Sequence, residues 1–443
     1  MKAQLGFPDT IFALSSGRLP SGVAVIRLSG PHVRFVIETI AGALPKPRMA
    51  AYRPFHSRAG EMLDQGLLLF FPGPHSFTGE DCAEFHLHGG VAVVDRFLRE
   101  LSGFENCRMA EPGEFTRRAF ANGKMDLTVA EGLADLVSAE TEGQRRLALQ
   151  VTSGAQRDLY DGWRRELIQA RALIEAELDF ADEADVPGSV SARVWQAMEL
   201  LSGQIDRHLA DGQRASVFRD GIHVAIVGAP NAGKSSLLNV LAGREVAIIS
   251  EEAGTTRDLI EVKLDLGGIP VFLTDTAGLR ETEGHVEKIG IERARARAAS
   301  ADLVLLLEDM SQPEPVEPPE SGGVLWHIGN KKDLAGPVSG EKWDFLISAR
   351  SGEGVDELIA AMTQFAEAKV GSIGDVVPTR RRHMDMLAEA RREIEDAIGL
   401  ESLPLELRAE HLRRASQFLG RITGDVDVED ILDVIFSQFC IGK

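Results

Sequence analysis

Hydrophobic and polar positions follow three different patterns along the chain. In the first 120 residues, short apolar runs are separated by turns. Val23-Ala-Val-Ile-Arg-Leu28 and Gly66-Leu-Leu-Leu-Phe-Phe71 read as buried strands, Cys82–His88 alternates with period two, and a helix is predicted from about Val91 to Leu101. From about Leu127 the period becomes helical. Leu159, Trp163, Leu167, Ala170, Ile174 and Leu178 fall three or four apart, the stripe of a core-facing helix. Residues 375–439 carry similar spacing at Leu387, Ile394 and Ile398, then at Leu412, Ala415 and Leu419. Between these two regions strands and helices alternate. Ile222–Val227 is an apolar strand ahead of a helical run, Ser236–Leu241. Ile260, Val262, Leu264 and Leu266 alternate into a Gly267-Gly268 turn, and Val271–Asp275 returns, which predicts a hairpin. Val324–Ile328 and Phe345–Ile347 read as further strands.

These patterns predict a multidomain α/β protein. An N-terminal α+β domain occupies 1–121, and an all-α domain is built from 122–219 and 371–443. An α/β domain at 220–370 is inserted between its two pieces, with one antiparallel strand in an otherwise parallel sheet. Such an insertion requires the termini of the inserted domain to lie close together. Ser311–Glu320 is rich in Pro and Glu and predicts a solvated loop.

At 443 residues with 44% hydrophobic content, two or three real cores are possible. No stretch approaches the roughly 20 apolar residues that span a bilayer, and the first residues lack the apolar run of a signal peptide. Cys82, Cys107 and Cys440 are few and far apart, which argues against a disulfide framework or a zinc site; a cytoplasmic protein is expected. The net charge of −20 argues against broad, non-specific binding to nucleic acid. A local basic patch could still form from Arg117, Arg118, Lys124, Arg145, Arg146, Arg164 and Arg165, although a solvated helix face also accounts for most of them. His86 and His88 share a strand face beside Gly89-Gly90, with no third metal ligand evident.

The chemistry is read from a set of short motifs. Gly228-Ala-Pro-Asn231-Ala232-Gly233-Lys234-Ser235, followed by Ser236, lies between a strand and a helix. There the backbone N–H groups can fold around phosphate oxygens, Lys234 can reach the outer phosphates, and the Ser235 hydroxyl can ligate Mg²⁺. A glycine-rich surface turn is the alternative, but it would not need a strand before and a helix after. Asn330-Lys331-Lys332-Asp333 follows another strand. Asp333 can accept from both the ring N–H and the exocyclic amine of guanine, a pairing adenine lacks, while Asn330 and Lys331 fix the loop. Ser348-Ala349-Arg350 ends the next strand. Asp275-Thr276-Ala277-Gly278 offers a carboxylate to Mg²⁺ through water and an N–H to the γ-phosphate, and Gly254-Thr255-Thr256 supplies a threonine ligand, Thr256. In this order the motifs predict GTP and Mg²⁺ bound in a Ras-like P-loop G domain.

Further stretches carry a resemblance. After Gly278 come Leu279-Arg280-Glu281 and then Val286-Glu287-Lys-Ile-Gly-Ile-Glu292, and the chain closes on Cys440-Ile-Gly-Lys443. The N-terminal part adds Asp9-Thr-Ile, Phe71-Pro-Gly-Pro, Thr78-Gly-Glu-Asp81, His88-Gly-Gly and Pro112-Gly-Glu-Phe-Thr-Arg117. Over essentially its whole length the chain is similar to the MnmE (TrmE) family of tRNA-modification GTPases. The resemblance implies a folate-binding-like N-terminal domain that dimerises. It also implies an FAD-dependent partner, MnmG, in a heterotetramer, with tRNA as substrate. The two proteins would install an aminomethyl-type group, such as carboxymethylaminomethyl, on C5 of the wobble uridine.

The resemblance also implies site residues. Leu279 stands where Ras-like enzymes place a water-orienting Gln. K⁺ beside the phosphates, held by Asn231, Ser250, Glu252 and Thr255, would supply the missing charge, and Glu287 would orient water through a bridging water. Ser250, Glu251, Glu252, Ala253, Gly254, Thr255 and Thr256 would complete the nucleotide site with Thr276, Ala277 and Gly278. A 5-formyl- or methylene-tetrahydrofolate would be held by Arg27, Glu84, Lys124 and Lys443, with Cys440 a candidate participant in the tail. Arg27 on an apolar strand is hard to explain as core, which favours this reading. A GTPase switch in ribosome assembly is the competing reading, and no RNA-binding signature supports it. A folate-dependent aminomethyl transferase acting alone would need a redox cofactor, and no dinucleotide fingerprint is visible.

Overall fold

Along β2 (Ser21–Ser29) Ile26 and Leu28 turn to one side of a sheet and Arg27 to the other, because successive strand residues alternate. That sheet also holds β1 (Thr10–Leu14), β3 (Ala51–His56), β4 (Met62–Phe71), β5 (Cys82–Gly89) and β6 (Cys107–Met109), in the order β3-β4-β5-β2-β1-β6. All neighbours are antiparallel except β1 and β6. Helices α1 (Val33–Ala41) and α2 (Val91–Ser102) cover one face, where Phe12, Ile26, Phe55 and Phe85 pack with Val36, Ile37 and Phe97. The computed structural model describes residues 7–179, 190–248, 261–275, 299–313, 322–335, 342–371, 374, 376–400, 402–426, 429–437, 439 and 442.

The chain forms two compact units, the sheet just described belonging to the first, which comprises residues 1–134, 157–164 and 416–443. In this unit α3 (Glu114–Ala121) and the start of α4 (Leu127–Ser138) meet the end of the chain. Leu127 and Ala130 pack against Ile435, Phe436 and Phe439, so α12 (Glu429–Ser437) closes onto residues three hundred positions earlier in sequence. The stripe expected over Leu159–Leu178 lies on α6 (Ala155–Asp179), where Trp163, Leu167, Ala170 and Ile174 are buried.

The second unit, residues 135–156 and 165–415, is organised around a second six-stranded sheet. Its strands are β7 (Ile222–Gly228), β8 (Glu261–Leu266), β9 (Ile269–Asp275), β10 (Leu303–Asp309), β11 (Val324–Asn330) and β12 (Phe345–Leu346), in the order β12-β11-β10-β7-β9-β8. Only the β8–β9 hairpin is antiparallel, as its alternation predicts. Helices α8 (Lys234–Ala242) and α9 (Val355–Val370) supply Leu237, Leu241, Leu358 and Met362 to its core. Helix α10 (Arg381–Gly399) packs along α7 (Val190–Asp220), and its Leu387 and Ile394 are buried; α5 (Glu142–Thr152) precedes these helices and α11 (Leu405–Thr423), with Leu412, Ala415 and Leu419 buried, follows them. The C-terminal ends of β7, β9, β10 and β11 point to one edge of the sheet, where open α/β sheets place their ligands.

The basic patch that Arg117, Arg118, Arg145, Arg146 and Arg164 could have made is not a surface of free cations. Arg118 is fully buried and pairs with Asp9, Glu80 and Glu114. Arg117 pairs with Asp433, Arg164 with Asp425, and Arg145 and Arg146 share Glu142.

Candidate functional site

The phosphate-binding loop leaves the end of β7 and enters α8 at Gly233, whose φ of +98° is open only to a residue without a β-carbon. Space demands glycine as well: a Cβ there would stand 2.2 Å from Asn330 Nδ2. Asn231 takes a left-handed φ of +63°, which asparagine tolerates. Lys234 opens α8 and is buried. Its Nζ donates to the carbonyl oxygens of Gly228 and Ala229, both at 2.8 Å. Burial pushes its pKa below the ordinary lysine value, and the neighbouring Asp275 carboxylate opposes that shift. An anion arriving at the loop would offer this ammonium a better partner than two carbonyls. Ser235 and Ser236 lie exposed on the first turn of α8, at the end of a helix that favours anions.

Ser235 Oγ donates to Asp275 Oδ2 at 3.0 Å, which brings a hydroxyl from the loop to a carboxylate from the end of β9. Two hard oxygens, one from the start of a helix and one from the end of a strand, beside a phosphate loop, fit Mg²⁺.

Asn330 joins three loops. Its Nδ2 donates to the Ala232 carbonyl at 2.8 Å, and its Oδ1 accepts from the Ala349 N–H at 3.0 Å. The residue is 1% exposed, so both bonds are sheltered from water. Ser348 Oγ donates to Asp333 Oδ1 at 2.7 Å, and the Lys332 N–H donates to the Ile347 carbonyl. Asp333 itself is exposed, its carboxylate steadied by one neighbour with acceptor capacity left over. Phosphate loop, base-reading loop and the turn after β12 thus form one connected edge.

Asn231, Ala232, Gly233, Lys234, Ser235, Ser236, Asp275, Asn330, Lys331, Asp333, Ser348 and Ala349 all lie on that edge. Ser250, Glu251, Glu252, Ala253, Gly254, Thr255, Thr256, Thr276, Ala277, Gly278 and Glu287 lie outside the described residues, as do Cys440 and Lys443.

In the first unit, Arg27 and Glu84 are direct partners across β2 and β5, and both Arg27 Nε (3.1 Å) and Nη2 (2.9 Å) donate to Glu84 Oε1. His86 Nε2 stands 3.6 Å from the other carboxylate oxygen. His86 first and then Arg27 hold the Glu84 carboxyl below its usual range, against the upward push of burial. The rings of Phe77 and Phe115 flank the guanidinium, 5.5 and 5.9 Å from its carbon. Sequence reasoning missed His86, Phe77 and Phe115 as neighbours of this pair; the shared strand face of Glu84 and His86 was the available signal. Lys124 is not brought to the pair by any hydrogen bond among the described residues; its Nζ donates to the Pro74 carbonyl at 2.9 Å. His88 bonds to Asp64 instead. Gly442, at φ +99°, is pinned to the end of β1. Ser15 Oγ donates to its carbonyl at 3.0 Å, and a Cβ would meet the Leu14 oxygen at 2.5 Å. Since Ala13 is the β1 partner of Arg27, Gly442 lies close to the strand that carries Arg27.

Residues 127–440 match the MnmE helical domain, and residues 10–124 match the GTP-binding protein TrmE N-terminus. The chain is 69% identical to the tRNA modification GTPase MnmE of Brucella anthropi over 435 residues, 98% of each chain. It is 69% identical to that of Brucella melitensis over 437 residues, 99% of each. Among solved structures it is similar to the G domain of the T. maritima FeoB iron transporter, at 24% identity and a TM-score of 0.26, covering 33% of this chain and 98% of that one.

Proposed function

We propose, from the premise that this chain belongs to the MnmE family of tRNA modification GTPases, that it is a K⁺-activated GTPase serving modification of the wobble uridine in certain tRNAs. The observation that carries the GTPase half is the bridge made by Asn330, which fixes a guanine-reading loop against a phosphate loop. GTP hydrolysis breaks the bond between the γ-phosphorus and the β–γ bridging oxygen as water attacks. In this reading Lys234 exchanges its two carbonyl partners for phosphate oxygens, and Asp333 pairs with guanine. Ser235 and Thr256 would ligate Mg²⁺, with Asp275 acting through water. Glu287 orients the attacking water, since Leu279 cannot. K⁺, held by Asn231, Ser250, Glu252 and Thr255, would add the positive charge that an arginine finger supplies elsewhere, worth roughly 10³–10⁵ in rate.

The modification half is assigned to the first unit, with an FAD-dependent MnmG-type partner and the chain acting as a homodimer. A tetrahydrofolate derivative would open the Arg27–Glu84 pair, its pterin N–H groups donating to Glu84 and its pterin oxygen accepting from Arg27. Phe77 and Phe115 give such a ring flat apolar neighbours. Lys124, Lys443 and Cys440 are kept as further members, and the pinning of Gly442 beside β1 supports a place for the tail here. The proposed domain limits are 1–121, 122–219, 220–370 and 371–443.

Turnover in K⁺ against Na⁺, for the parent and Glu287→Ala, tests the hydrolytic reading. Turnover should collapse in Na⁺, and the variant should keep its GTP affinity but lose kcat, because Glu287 acts on the water and not on the ground state. Equal rates in both salts, or a variant at the parent rate, would overturn it.

A further inference from the structure

Asp309 closes β10 and belongs to none of the nucleotide motifs, yet its carboxylate is fully engaged. One oxygen, Oδ1, accepts from both the N–H (2.8 Å) and the hydroxyl (2.6 Å) of Ser311, a local turn. The other, Oδ2, lies 2.5 Å from Lys331 Nζ. Burial raises the pKa of this carboxyl, but Lys331 and Ser311 outweigh it and bring it down to about 2, so the carboxylate is ionised across the whole physiological range. Lys331 is held at its other end too. Its backbone is in the left-handed region at φ +63°, and the preceding Asn330 is locked by two buried hydrogen bonds.

We infer that Asp309 is a positioning residue for the purine slot, acting through Lys331. A lysine stem stretched between two fixed points cannot sweep through its rotamers, so its methylenes would offer an arriving purine an apolar wall that is already ordered. Without its carboxylate, the ammonium would swing toward water and the wall would have to be ordered each time a nucleotide binds. The loss should therefore fall on affinity, mainly through faster dissociation, and be the same for any purine. This rests on the proposed reading of Asn330–Asp333 as the base-reading loop.

Asp309→Asn is a clean perturbation, because an asparagine keeps the Oδ1 acceptor for Ser311 and replaces only the oxygen that meets Lys331. The full-length variant should bind a fluorescent GDP analogue about tenfold more weakly, the scale of one hydrogen bond between charged groups. Lys331→Met should cost a similar factor, and the double variant should be no weaker than the weaker single one, because both remove the same contact. Inosine diphosphate should lose the same factor as GDP. Parent-like affinity of Asp309→Asn, or losses that multiply in the double variant, would overturn the inference. Ser311→Ala, which leaves Lys331 and its oxygen in place, should weaken binding less than Asp309→Asn; an equal loss would assign the effect to the turn and overturn it as well. Asp333→Asn is the control on the premise. It should shift preference toward xanthosine diphosphate, and its failure to do so would remove the base-reading loop itself, whatever Asp309 does.

Discussion

Replacing Asn330 by alanine should separate the loops that form the nucleotide site, and the size of the effect follows from what is left behind. The carboxamide satisfies the Ala232 carbonyl and the Ala349 N–H, and both residues are at most 5% exposed. An orphaned buried donor or acceptor costs about 1–3 kcal/mol, so two of them cost about 2–6 kcal/mol if the loops stay together. The loops will part to hydrate these groups, and nucleotide binding must then gather them again. If half of the upper figure is charged to binding, about 3 kcal/mol, GDP affinity falls by roughly two orders of magnitude. Titration with a fluorescent GDP analogue reads this directly, with thermal melting of the nucleotide-free protein as companion. Asn330→Asp should also be weak, because it keeps the acceptor for Ala349 but turns a carboxylate oxygen toward the Ala232 carbonyl. An Asn330→Ala protein that binds GDP within about threefold of the parent and melts at the same temperature would refute the bridge as the joint of the site.

Gly442→Ala should dislodge the tail from Leu14 and Ser15 and lower wobble modification, and deletion of Cys440–Lys443 should abolish it. K⁺-stimulated GTP turnover should continue in both; normal modification after the deletion would deny the tail a function. Glu100 accepts from the Arg58 N–H, the Arg58 side chain and Arg96, which outweigh burial and hold its pKa at about 2, against 4.5 ordinarily. A depressed carboxyl stabilises the fold above pH 4.5 and loses that contribution as pH falls toward 2. Melting followed from pH 6 to about pH 3 should therefore drop more steeply in the parent than in Glu100→Gln, and parallel curves would contradict this.

The phosphate loop was legible because its chemistry is local: eight adjacent residues between a strand and a helix say where the phosphates go. Asn330 could be named as a loop-fixing residue, but its two partners lie 98 and 19 residues away and depend on sheet order. β10 escaped for a physical reason. Buried on both faces at the centre of a parallel sheet, Leu303–Leu307 is continuously apolar and has no alternation to read. Arg27 stood out as a charge on an apolar strand, whereas its pairing with Glu84 follows from the β2–β5 register, which no local pattern supplies. Arg118 shows the opposite failure. Among surface-looking arginines it is the one buried at the centre of a carboxylate network, assembled from Asp9, Glu80 and Glu114 out of three separate segments.

The chain belongs to a family of tRNA modification GTPases, and the wobble uridine is the target we propose for it. The most direct measurement is mass-spectrometric analysis of wobble nucleosides in tRNA from a strain deleted for the gene, with and without the parent chain restored. The C5-modified uridine should disappear on deletion, return with the parent, and not return with Asn330→Ala. Unchanged wobble uridine in the deletion strain would contradict it.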